Sequence, residues 1–297
     1  MLKNNYVLWI IYGVLFLWVI FWLIYNKTTN PESVLIFSYP NKIEFWWELL
    51  DLNWTRWQDI KERFDREFLI TSNNLYQAFL YIKRYPLYIP YIESRFKESW
   101  IHRDLIYLPI AESALRNGSD VISHAWAWGI WQFMPDTAKR YWLRVDEYID
   151  ERFHFEKATD AALIYITDLY WIFWDWALVA AAYNRWENWL RRDIQSQWVD
   201  NYYDLFLNNE TARYVFRIMA IKYMFQSYYD NKSVIDTLIG WVYQANNTKQ
   251  VSINWPIEDL RVWSQDNNYN YREIRLLNPW IKSLYLPEGE WIIDVME

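Results

Sequence analysis

Cysteine is absent from the 297-residue chain. Its absence excludes a disulfide framework, a thiol nucleophile, a thiolate metal site and an anchor through a lipidated N-terminal cysteine. The three histidines, His102, His124 and His154, show neither an HExxH motif nor a paired spacing. They read as packing or surface residues, and no metal or cofactor is expected. A net charge of -7 and a pI near 5.2 leave no basic stripe to hold phosphates, so nucleic acid is not an expected partner. Glycine is scarce: there are 5, where ordinary usage would give roughly 21 in this length. Tryptophan, usually among the rarest residues, occurs 23 times. The glycine deficit and the tryptophan excess are similar in size.

What is present is apolar and helical in pattern. Hydrophobic residues make up 53% and charged residues 23%, the composition of a folded protein. Residues 6–25, YVLWIIYGVLFLWVIFWLIY, run for 20 positions without a charge, a length that crosses about 30 Å of hydrocarbon as a helix. They read as a single membrane anchor rather than a cleaved signal peptide, because the run is long for an h-region and no A-x-A-like site follows. Residues 56–117 carry helical periodicity interrupted by Pro86, Pro90 and Pro109, and read as short helices; a helical pattern resumes from 136 to about 228. Beyond 245 the composition shifts to Asn, Pro and short apolar runs such as WIIDV, as in a small separate module. The expected organisation is an anchor at 1–30, a helical extension at 31–92, a main helical domain at 93–230, and a tether with a small C-terminal module at 231–297.

One acidic residue stands out. Leu105, Leu108, Glu112 and Leu115 are spaced 3, 4, 3, which puts Glu112 on the apolar stripe of a helix. Desolvation raises the pKa of such a carboxyl and keeps it protonated near neutrality, as a general acid requires. Taken alone, the pattern is met equally by a helix of slightly different register with Glu112 exposed. The tryptophans also fall in odd places. Trp142, Trp174 and Trp186 each sit where a helix should end on a left-handed residue, the position glycine fills because it has no Cβ.

AESAL (111–115), GIWQFMPDTA (129–138) and AAYN (181–184), in this order and spacing, resemble the lysozyme-like lytic transglycosylases, in particular the membrane-bound murein transglycosylase D-like family. RFDREFL (63–69) and NETARYVFRIMAIKY (209–223) also resemble that family, so the likeness covers roughly residues 43–228. It implies a mainly α, lysozyme-like transglycosylase domain acting on peptidoglycan. The bond cut is the β-1,4 link between N-acetylmuramic acid and N-acetylglucosamine. Glu112 matches the family's catalytic glutamate, which protonates the glycosidic oxygen. As base it then takes the proton of the muramoyl C6 hydroxyl while that oxygen attacks C1, leaving a 1,6-anhydro end. The resemblance assigns Ser113, Gln132, Tyr183 and Asn184 to substrate binding. Ser113 and Tyr183 would orient the carboxyl or the sugar, and the amides of Gln132 and Asn184 would serve N-acetyl and hydroxyl groups.

The same resemblance bears on the tryptophans. The family usually has glycine at the positions matching Trp47, Trp100, Trp126, Trp142, Trp174 and Trp186, and often at that of Trp189, whereas Trp131 and Trp176 match family tryptophans. So one-sided a pattern implies a gene in which UGA specifies glycine, translated as though UGA specified tryptophan; Trp128 and Trp198 join the set. The chain departs from the best-known members in lacking the lipidated cysteine and clear LysM repeats, and residues 251–297 only faintly resemble a LysM-like end. The expected partners are peptidoglycan glycan strands and, through the N-terminal helix, a membrane. The expected location is a bacterial cell envelope with the domain outside the cytoplasm. A noncatalytic peptidoglycan-binding scaffold and a hydrolytic muramidase on the same fold are the alternatives.

Overall fold

The computed structural model describes residues 36–40, 42–46, 48–50, 58–118 and 127–297. The expected anchor at 6–25 lies outside the described residues, as do Trp47 and Trp126. Among the described residues no single helix is long and apolar enough to cross a membrane.

Tyr39–Glu297 form one compact unit. It begins with an antiparallel hairpin, β1 (Ile43–Phe45) paired with β2 (Glu48–Leu50). Lys222 Nζ ties this hairpin down by donating to Glu44 O and to the buried Asp104 Oδ2, both at 2.8 Å. Helices α1 (Gln58–Asn73) and α2 (Leu75–Ser99) follow. The Asn74 side chain caps α2 by accepting from Gln77 N–H at 3.2 Å. Helix α2 runs unbroken through Pro86 and Pro90, where the sequence suggests short helices. Each proline removes one N–H bond and crowds the preceding turn, but Ile82, Ile89 and Ile92 are buried and anchor both halves of the helix in the core. Pro109 lies in the first turn of α3 (Leu108–Ser113), where no N–H bond is due.

Among the described residues the larger domain also holds α4 (Pro135–Arg140), α5 (Phe155–Phe173), α6 (Trp176–Arg185), α7 (Glu187–Gln197) and α8 (Asn209–Asp230). Helix α6 is buried from Trp176 to Tyr183, and its alanines let α5, α7 and α8 approach closely. Helix α8 is also packed against α1 and α3.

The segment expected as a tether holds α9 (Lys232–Ile239), and Tyr243 N–H donates to Lys83 O at 3.0 Å. The C-terminal module comprises β3 (Thr248–Ile253), α10 (Leu260–Asp266), α11 (Tyr271–Leu277) and β4 (Trp291–Met296). Strands β3 and β4 pair antiparallel from Thr248↔Met296 to Ile253↔Trp291. The module's apolar core also encloses Ile149 and Phe153 of the larger domain, so the two pack through one shared cluster.

Among the described residues six tryptophans have positive φ, between 55° and 66°: Trp46, Trp100, Trp142, Trp174, Trp186 and Trp198. Trp100, Trp174 and Trp198 terminate α2, α5 and α7. Trp186 joins α6 to α7, and Trp142 follows α4. All but Trp46 are exposed, from 50% to 94%. Trp46 is buried, and its indole Nε1 has no hydrogen-bond partner among the described residues. Trp131 and Trp176, by contrast, are buried with ordinary backbone. Trp128 and Trp189, which the sequence places in the same set, do not have positive φ. Trp189 lies inside α7, and the Trp128 ring centroid is 5.5 Å from that of Phe153, where a glycine would leave a void.

Candidate active site

Helix α3 is six residues long and ends at Glu112–Ser113, because Ala114 and Leu115 turn left-handed with φ of 58° and 56°. The Ala114 N–H closes the last turn on Ile110 O at 2.9 Å. The helix is thus shorter than the spacing suggests, yet Leu105, Leu108 and Leu115 are all buried and Glu112 turns inward with them. A left-handed non-glycine residue costs about 1–2 kcal/mol. Two in succession beside a carboxyl are the kind of held strain found at functional sites.

The Glu112 side chain is half-buried, while its carboxyl is enclosed. Burial pushes its pKa from 4.5 up to about 7. Two groups on α8 act against burial: the Tyr214 hydroxyl, which donates to Glu112 Oε1, and the positive charge of Arg217. Glu210, on the same helix, repels the charged form and raises the pKa further. Glu210, Tyr214 and Arg217 are spaced 4 and 3, one face of α8. Tyr214 is itself buried, and burial holds its hydroxyl well above the usual phenol range, so it stays a donor.

The loop 128–133 forms the next wall. Trp128 and Phe133 exchange both backbone hydrogen bonds at 3.2 Å. Gly129 (φ 79°) is required here, because a Cβ would lie 1.9 Å from Arg152 O. Gln132 is left-handed (φ 51°), and its Nε2 donates to Gly129 O at 2.8 Å. Ser113 Oγ lies within donating distance of Pro109 O (3.1 Å) and Ile130 O (2.9 Å). Tyr183 OH donates to Trp131 O at 2.8 Å, and Trp131 Nε1 donates to Thr159 Oγ1 at 3.0 Å. Ser113 and Tyr183 therefore hold the loop, and the hydroxyl on the carboxylate is that of Tyr214. Asn184 accepts from Thr211 Oγ1 at 3.0 Å and donates to Glu210 Oε1 at 3.4 Å. The sequence does not single out Tyr214. It lies in NETARYV, where the available signal is its helical spacing from Glu210.

This geometry is a helical domain with an enclosed, protonatable carboxyl beside a glutamine-bearing loop. Residues 82–205 match the family described as Transglycosylase SLT domain, and residues 249–290 match the Soluble lytic transglycosylase C-terminal LysM-like domain. The chain carries an SLT transglycosylase domain followed by a LysM-like C-terminal domain. Over 139 residues it is 32% identical to the Membrane-bound lytic murein transglycosylase D of Escherichia coli strain K12, and equally to its namesake in strain O6:H1. The match takes in 45% of this chain and 30% of each relative, so the chain spans about a third of the length of the curated relatives it matches.

Proposed function

We propose that the chain is a peptidoglycan lytic transglycosylase in which Glu112 serves first as acid and then as base. The observation that carries this reading is the enclosed Glu112 carboxyl, held near pH 7 by burial and gripped by Tyr214. A carboxyl poised there is half protonated at working pH and can both give and take a proton. Glu112 protonates the oxygen between N-acetylmuramic acid and N-acetylglucosamine, and the C1–O bond breaks with its electron pair leaving on that oxygen. The carboxylate then removes the C6 hydroxyl proton as O6 bonds to C1, closing the 1,6-anhydro ring without water. The hydroxyl is tethered in the same sugar, which gives it a large effective concentration over a separately placed water. Gln132 and Asn184 supply amides for the sugar's N-acetyl and hydroxyl groups, while Ser113 and Tyr183 act by holding the loop. The substrate places the domain outside the cytoplasm of a bacterial envelope, with residues 6–25 as the membrane anchor.

A competing reading turns on Glu210. An exposed carboxylate close enough to raise the Glu112 pKa is a candidate base for activating water, which would make the enzyme a hydrolytic muramidase. The reaction products separate the two readings.

Glu112→Gln tests the role of the carboxyl, since the amide keeps size and hydrogen bonding but has no proton to deliver. Release of muropeptides from purified peptidoglycan should fall by about 10²–10⁴-fold while binding to the strands persists. Near-normal release would remove Glu112 from the mechanism, and a wild-type chain that binds the strands but releases nothing would favour the scaffold.

We also infer that Trp46, Trp100, Trp142, Trp174, Trp186 and Trp198 are glycines in the natural protein, encoded by UGA. Their positive φ supports this, as does the exposure of five of them. The codons decide it: UGA is expected at these six positions and UGG at Trp131 and Trp176, whereas UGG throughout would end the idea.

A further inference from the structure

Arg152 is buried in the short 3-10 turn Glu151–Phe153, and this one residue reaches several points of loop 128–133. Its guanidinium grips Asp150 with Nε on Oδ1 at 2.9 Å and Nη2 on Oδ2 at 2.7 Å, and Nη1 donates to Phe133 O at 3.0 Å. The guanidinium also lies 4.5 Å from the Trp128 ring centroid. The Arg152 backbone carbonyl is the group that leaves no room for a Cβ at Gly129. Arg152 therefore touches Trp128, Gly129 and Phe133, which flank Gln132.

The other side of the same turn meets the C-terminal module. Asp150 N–H donates to Trp280 O at 2.8 Å, and Ile149 bridges Ile281. Lys282 N–H and Ser283 N–H both donate to Tyr148 O, at 2.8 and 3.0 Å. The buried Asp150–Arg152 pair thus stands between the module's backbone and the loop that carries Gln132. Lysine at 152 would keep the charge but has no planar fork to hold a carboxylate and a carbonyl together.

We propose that Arg152 is a positioning residue through which docking of residues 248–297 sets loop 128–133, so that the module contributes to turnover apart from any contact with the wall. This rests on the transglycosylase reading above. In the full chain, Arg152→Lys should retain a cooperative melting transition and binding to purified peptidoglycan. It should lower kcat by about tenfold or more and raise KM by a smaller factor, the scale of effect that small displacements of a positioning element produce. A folded Arg152→Lys protein with wild-type kcat overturns the proposal. A protease site inserted after Ala245 supplies an arm that does not depend on that variant folding. After cutting, the C-terminal segment should stay attached with turnover intact, and rising urea should remove segment and turnover together before the helical signal falls. Turnover that survives loss of the segment overturns the proposal. An intact wild-type chain that releases no muropeptides refutes the transglycosylase reading instead.

Discussion

The surroundings of Glu112 and the outer ends of the helices both hold non-glycine residues at positive φ, but what surrounds the strain differs. Beside Glu112, Ala114, Leu115 and Gln132 are locked by neighbours: Arg84 Nη1 donates to Ala114 O at 3.0 Å, Leu115 is buried, and the Gln132 amide closes on Gly129 O. At the helix ends, Trp100, Trp142, Trp174, Trp186 and Trp198 are held at positive φ with large exposed rings. Strain locked by contacts beside an enclosed carboxyl is of the kind found at functional sites. Strain under an exposed indole is not, and glycine removes it.

The largest effect expected from this contrast is on stability. Glycine at the five exposed positions should recover about 1–2 kcal/mol each, a sum comparable with the whole 5–15 kcal/mol stability of a typical domain. The melting midpoint should rise by at least about 10 °C; an unchanged midpoint would break the contrast. Trp131→Gly should act in the opposite direction and cost about 3–5 kcal/mol, because it empties a fully buried site and frees Thr159 from its indole partner. Equilibrium urea unfolding measures that loss.

Glu112 gives a smaller, pH-dependent effect. Its pKa is about 7 in the folded protein against 4.5 for the free group, so the folded state binds the proton more tightly. That contribution is full below pH 4.5 and is lost as pH rises to 7. Glu112→Gln should therefore stabilise the protein above pH 7 by up to about 3 kcal/mol relative to pH 4.5. Unfolding series at the two pH values check the sign. Smallest of all, Tyr214→Phe removes a hydrogen bond to the charged carboxylate and should move the Glu112 pKa above about 7. The alkaline limb of kcat/KM should shift to higher pH; a shift to lower pH would mean that Tyr214 serves the protonated form.

Much of this is legible in the sequence because it depends on local pattern. Glu112 is marked by the apolar stripe around it, and the helix ends at Trp142, Trp174 and Trp186 by the missing left-handed residue. What is not legible depends on contacts between distant segments. The continuity of α2 through Pro86 and Pro90 comes from core packing on both sides of the prolines. Tyr214 is 102 residues from Glu112 in the chain, and the Arg152 guanidinium meets Phe133 O across 19 residues. The packing of the Trp128 ring against Phe153 and the Arg152 guanidinium is likewise a matter of distant contacts.

The central claim is that a single carboxyl cuts the glycan by passing the bond to the sugar's own C6 hydroxyl. Mass spectrometry of muropeptides released from purified peptidoglycan tests it most directly. The account predicts ends in 1,6-anhydro-N-acetylmuramic acid, lighter by one water than hydrolysed ends; predominantly hydrated, reducing ends would contradict it and leave Glu112 as the acid of a hydrolase.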